Sequence, residues 1–140
     1  MTLLRRYLFF ALALVSGWGL HATQNAPAKG DAEPRSTIAG VWRGHSECAV
    51  KNSPCHDEVN VYRFSKIEGR ENVFSVTASK LVDGKEVVMG SSEWKYEEKR
   101  GIVASEKPSI QLAIHEDKME GALKLEDGTV YRRIYLKKDN

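Results

Sequence analysis

The stretch SECAVKNSPCHDE, residues 46–58, gathers the side chains with the most chemical potential in this chain: both of its cysteines, Cys48 and Cys55, with His56 directly after the second and His45 just ahead of the first. Four chemistries compete for such a set. Covalent haem attachment requires C-x-x-C-H, and six residues separate these cysteines, so that reading fails. A nucleophilic cysteine requires an unpaired thiolate beside a base, the part His56 would play; two nearby cysteines in an exported chain oxidise to each other instead. His45, Cys48, Cys55 and His56 also carry the donor atoms of a tetrahedral zinc site. Metal ligation is therefore the sharpest rival, although H-x2-C-x6-C-H is not a finger spacing and adjacent ligands at 55 and 56 would strain a chelate. A Cys48–Cys55 disulfide is the favoured reading. On the chain-entropy account it stabilises the domain by about 2.5 kcal/mol, and Lys51-Asn52-Ser53-Pro54 has the turn chemistry for the tip of the loop it closes. His56-Asp57-Glu58 then sits at the exit of the clamp, either as a solvated strand start or as a partner-binding epitope.

Compartment decides this chemistry. Arg5 and Arg6 precede an apolar run from Tyr7 to Leu20, and Leu20-His21-Ala22 is a cleavage site of the small-residue type. Residues 1–22 read as a signal peptide, too short in its apolar part for a typical spanning helix. The mature chain is thus expected to be secreted or periplasmic after cleavage near Ala22, with no transmembrane segment. Of 21 basic and 19 acidic residues the signal removes two basic ones, leaving 19 against 19. A formally neutral mature protein has no electrostatic footprint for nucleic acid or anionic lipid. TQNAPAKGDAEPRS, residues 23–36, has two prolines and nothing large and apolar, and reads as a flexible linker. Residues 37–140 are expected to form one domain.

Catalysis finds little support. The mature histidines are His45, His56 and His115; the chain shows no nucleophile elbow, no H-E-x-x-H, no phosphate-cradling glycine loop and no calcium loop. The expectation is a non-enzymatic protein with no metal and no cofactor.

The elements that must position these groups are strands. Period-two alternation aligns Phe74, Val76 and Ala78; Ile110, Leu112 and Ile114; Met119, Gly121, Leu123 and Leu125; and Val130, Ile134 and Leu136, the pattern of half-buried strands. Asp83-Gly84 and Asp127-Gly128 are favoured hairpin pairs, and Pro54 and Pro108 fall between runs. About eight strands are expected, over roughly 38–46, 58–67, 72–81, 85–96, 101–105, 109–115, 118–126 and 129–137. SSEWKYEEKR (91–100) also suits a short helix after a serine cap. Short connections favour an antiparallel meander. The fold class is all-β, a small up-and-down barrel, with a two-sheet sandwich as the alternative.

Gly40-Val41-Trp42 in the first strand and Arg132-Arg133-Ile134-Tyr135 in the last resemble the calycin superfamily, the lipocalin and fatty-acid-binding barrels that begin with G-x-W and carry an arginine near the final strand. The resemblance covers the two ends of the domain. It implies a lipocalin-like barrel in which that arginine packs over the tryptophan, or one in which R-x-Y, here Arg133 and Tyr135, holds a ligand carboxylate. Periodicity turns Arg132 inward with Ile134 and Leu136, which favours a cation–π contact of Arg132 on Trp42, and turns Arg133 and Tyr135 outward. Trp42, Arg132, Arg133 and Tyr135 are the ligand-binding candidates. Small inward residues, Ala78, Gly90, Ser92 and Gly121, either line a cavity or make room for Trp42, Trp94 and Tyr96. The expected function is that of an exported binding protein, a monomer holding a small apolar or acidic ligand; the alternative is a protein-binding module such as an exported inhibitor or envelope accessory factor, presenting its clamped loop.

Overall fold

A computed structural model describes residues 38–140; the signal peptide and linker expected over 1–36 lie outside the described residues. Eight strands follow in order: β1 (Gly40–Cys48), β2 (Glu58–Ile67), β3 (Arg70–Val82), β4 (Lys85–Glu97), β5 (Ile102–Ser105), β6 (Ser109–His115), β7 (Lys118–Lys124) and β8 (Val130–Lys138). Each runs antiparallel to its neighbours, and β8 pairs back onto β1 to close an up-and-down barrel. A closed barrel, unlike a sandwich, pairs every strand on both sides. The stretch 91–100 is strand to Glu97 and then a 3-10 turn, Glu98–Arg100, ended by Gly101 at φ 60°.

Alternation fills one end of the interior. Phe64 is the hub of an aromatic cluster, edge-on to Trp42, Phe74 and Trp94 with centroids 5.6–6.5 Å apart, contacts worth roughly 0.5–1.5 kcal/mol each beyond their buried area. Ile38 and Trp42 are fully buried, and the Trp42 indole N–H donates to the Ile38 carbonyl at 2.8 Å. This makes a closed floor. The expected stacking of Arg132 on Trp42 does not form. The β1–β8 register sets Trp42 opposite Lys138 and Arg132 opposite Cys48, which separates Arg132 from the floor by six residues of strand, roughly 20 Å. Lys138 takes the cation position, its Nζ 5.7 Å from the Trp42 ring centroid.

Two glycines let neighbouring strands approach. A Cβ on Gly44 would overlap the Tyr135 carbonyl oxygen, and one on Gly121 that of Gln111; strands that curl this tightly need the missing side chain. Gly121 therefore serves backbone approach and not a cavity, which corrects one of the four small-residue expectations. The hairpin at Asp83-Gly84 has positive φ at both positions, 50° and 74°, as its sequence predicts. At Asp127-Gly128 only the glycine does: Leu125 N–H donates to Thr129 O and Gly128 N–H to Leu125 O, both at 2.9 Å, a longer loop that ends β7 at Lys124.

Strand lengths are unequal at the other end. β3 and β4 have thirteen residues each and β5 only four. β5 pairs with β4 at Lys95, Tyr96 and Glu97 alone, so the β5-side edge of Lys85–Glu93 has no strand partner among the described residues. Above Ser105 the barrel wall has a gap between β4 and the β5–β6 turn.

Candidate functional site

The upper end, opposite the Trp42 floor, carries the chemistry. Cys48 and Cys55 are disulfide-bonded with Cα atoms 6.0 Å apart, which consumes both thiols and leaves the zinc reading without its thiolates. The clamp is reinforced from the barrel: Cys48 N–H donates to Asp57 Oδ1 at 2.8 Å, and Ala49 N–H to Tyr131 O at 3.0 Å. Arg132 points inward, as its phase requires. It donates from Nη1 to the Ser46 hydroxyl at 3.1 Å and to the His56 carbonyl at 3.0 Å, and its Nη2 lies 3.5 Å from Glu58 Oε1. Lys80 donates to that same carboxylate oxygen at 3.3 Å. Glu58 is thus no solvated strand start; its side chain is 11 % exposed between two cations.

Arg132 is consequently the post that ties the clamped loop to β1 and β2. The other candidates disperse. Arg133 is exposed on the outer wall, and Tyr135, also outside, stacks on His45 with centroids 5.1 Å apart. Trp42 belongs to the floor. None of the four lines the upper cavity.

That cavity, about 260 Å³, lies just inside the gap. Tyr62 and Trp94 form its base, Ala78, Gly90 and Ser92 one wall, Ile110 and Leu123 the other, and Met89, Lys107 and Pro108 its rim. The small residues Ala78, Gly90 and Ser92 do line it, beside Trp94 but away from Trp42 and Tyr96. The next row of inward residues above it is polar. Asn60 and Lys80 pair across β2 and β3, one step beyond the Tyr62–Ala78 pair on the same face. Asn60 is 2 % exposed and its Oδ1 has no protein donor. Burial pushes the Tyr62 hydroxyl up to about 12, with Arg132 pulling it down and Glu58 raising it, so at neutral pH it is an O–H donor. Asn60 and Lys80 were readable beforehand: Asn60 is in phase with Tyr62 and Phe64, and Lys80 with Phe74, Val76 and Ala78. Lys107 and Pro108 come from the β5–β6 turn and Leu123 from β7, none of them paired with β4, so no local pattern announces that they meet it at one cavity.

An eight-stranded antiparallel barrel of this kind is compatible with a calycin-like fold. Compared with known proteins, the chain matches no family model, no curated protein and no solved structure.

Proposed function

We propose that this chain is an exported, non-enzymatic binding protein of calycin type that holds a small, mainly apolar ligand in the upper cavity, with any acidic group of the ligand facing Lys80. The observation that carries the reading is the contrast between the two ends of one barrel: aromatic packing closes the floor, whereas the upper interior leaves about 260 Å³ between apolar walls, open through the gap above β5. Small-ligand sites are concave, mostly apolar and furnished with few polar groups; here Tyr62 and Ser92 are in the lining, with Asn60 and Lys80 one row beyond it. Two cations stand against one carboxylate in the polar row, which favours an acidic end over a basic one.

The test fills the cavity from inside. The Cβ of a side chain at Gly90 meets nothing within 4 Å, so Gly90→Val is expected to fold with wild-type stability. Native mass spectrometry of wild-type protein recovered unreduced from its export compartment should show a bound organic molecule, and Gly90→Val should lack it. Equal retention by both would place the ligand elsewhere; a bare wild-type chain that also fails to take up short aryl acids and alcohols would sink the reading and leave the protein-binding alternative.

A further inference from the structure

We propose a second binding surface on the barrel, distinct from the floor and the clamped loop: the unpaired edge of β4 receives an extended segment of a partner protein as an added antiparallel strand, apolar in its middle and acidic at both ends. Sheet edges are normally blunted by charge, proline or short length, because a free row of backbone N–H and C=O groups templates pairing with another chain. The edge from Lys85 to Glu93 is nine residues long. It carries no charge between Val87 and Ser92, and Val87, Val88 and Met89 are 44–63 % exposed on it. An added strand would continue the line of β5, which stops at Ser105.

The ground beside the edge is shaped to receive alternate side chains. The 260 Å³ cavity opens along its inner face, and a depression of about 370 Å³, lined by Arg70, Glu93, Lys95, Ser105 and Lys107 among others, along its lower outer part; the two share Ser92 and Lys107. Ser105 is 6 % exposed at the end of β5 with its hydroxyl unpaired. Strand addition would supply main-chain bonds to the edge and place every second side chain in the inner cavity, the means by which added strands gain affinity and selectivity.

Charge selects the occupant. Glu86 and Glu93 are engaged by Arg63 and Arg70. Around the gap this leaves Lys85 at the upper end and Lys95 and Lys107 at the lower, against Glu106, so carboxylates at both ends of the incoming segment complement it. A second copy of the chain fits poorly. Its own edge is flanked by the same Lys85 and Lys95 and brings no free carboxylate to them.

The experiment uses the folded domain with its disulfide intact and three capped nonapeptides: Asp-Ser-Val-Thr-Val-Ser-Val-Thr-Asp, the same peptide N-methylated at alternate residues, and the same peptide with both aspartates replaced by lysine. Amide chemical shifts of Lys85–Glu93 are followed. The acidic peptide should perturb them in the sub-millimolar range; N-methylation should abolish the effect, and the lysine ends should weaken it about ten-fold. In the double variant Lys85→Glu, Lys95→Glu, with both changes on exposed side chains outside the cavity lining, the preference should reverse while small-ligand uptake by the cavity persists. No shift at about 1 mM acidic peptide, equal binding of the N-methylated peptide, or an unreversed preference would each overturn the proposal. Loss of small-ligand binding in an otherwise peptide-competent protein would count against the cavity reading alone.

Discussion

Tyr62 stands where the apolar cavity meets the polar row, and its hydroxyl reports on both. The side chain is 4 % exposed, and burial raises its pKa from about 10 in the unfolded chain to about 12. The folded state therefore keeps this proton over a range in which the unfolded state has lost it, so the stability it contributes is complete below pH 10 and is lost as pH rises towards 12. A shift of that size corresponds to at most about 3 kcal/mol. Urea midpoints measured between neutral pH and about pH 12 should fall more steeply for wild type than for Tyr62→Phe, and the 295 nm absorbance of wild type should show one tyrosine titrating late. Parallel curves for the two proteins would mean that Tyr62 is solvated in the folded state. At this same scale sequence reading succeeded and failed for one reason. Phase along a strand is local, so the inward direction of Arg132 and the outward directions of Arg133 and Tyr135 were legible. Height in the barrel is set by register between β1 and β8, some ninety residues apart in the chain, and that register gave Trp42 to Lys138.

Among the elements, the loop from Ala49 to Asp57 is held by ties of three kinds: the disulfide, the Asp57 carboxylate on Cys48 N–H, and Arg132 on the His56 carbonyl. Removing the covalent member, as Cys48→Ser with Cys55→Ser, should lower unfolding stability by about 2.5 kcal/mol on the chain-entropy account. The barrel should persist, because the noncovalent ties hold both ends of the loop. Denaturant melts of the double serine variant and of the oxidised wild type measure this directly; a difference near zero would show that Arg132 and Asp57 alone fix the loop. The clamp was legible from two nearby cysteines in a chain expected to be exported, and the strands from their period of two. The mismatch between thirteen-residue β4 and four-residue β5 was not. Both runs read simply as strands, and only the placement of the Glu98–Arg100 turn and of Pro108 decides how little of β4 the next strand covers. The cavity and the free edge both follow from that mismatch, which is why the proposed binding surface was harder to read than the fold.

Across the whole molecule the barrel has a gradient of order from floor to rim. The floor unites Ile38, Trp42 and the Phe64 cluster from β1, β2, β3 and β4, and opening it requires exposing most of the aromatic core at once. Among the described residues the upper half of β4 is anchored through β3 only, with exposed side chains from Lys85 to Ser91. Local opening free energies follow such differences in contact and solvation. Hydrogen exchange should therefore find amides of β1 and β2 near Trp42 and Phe64 limited by global unfolding. Along Lys85–Glu93 protection should alternate: amides directed at β3 exchange slowly, and those directed at the gap exchange almost as fast as in a peptide, since each N–H in a strand points to one neighbour or the other. The bulge at Met89 should appear as a break in that alternation. A ligand in the cavity should slow the amides around Gly90 and Ser92 but leave the outward-directed ones fast, whereas an added strand should protect the outward-directed set itself. Uniform protection along Lys85–Glu93 in the isolated chain would mean that something already pairs with this edge, and would remove the vacancy on which the added strand depends.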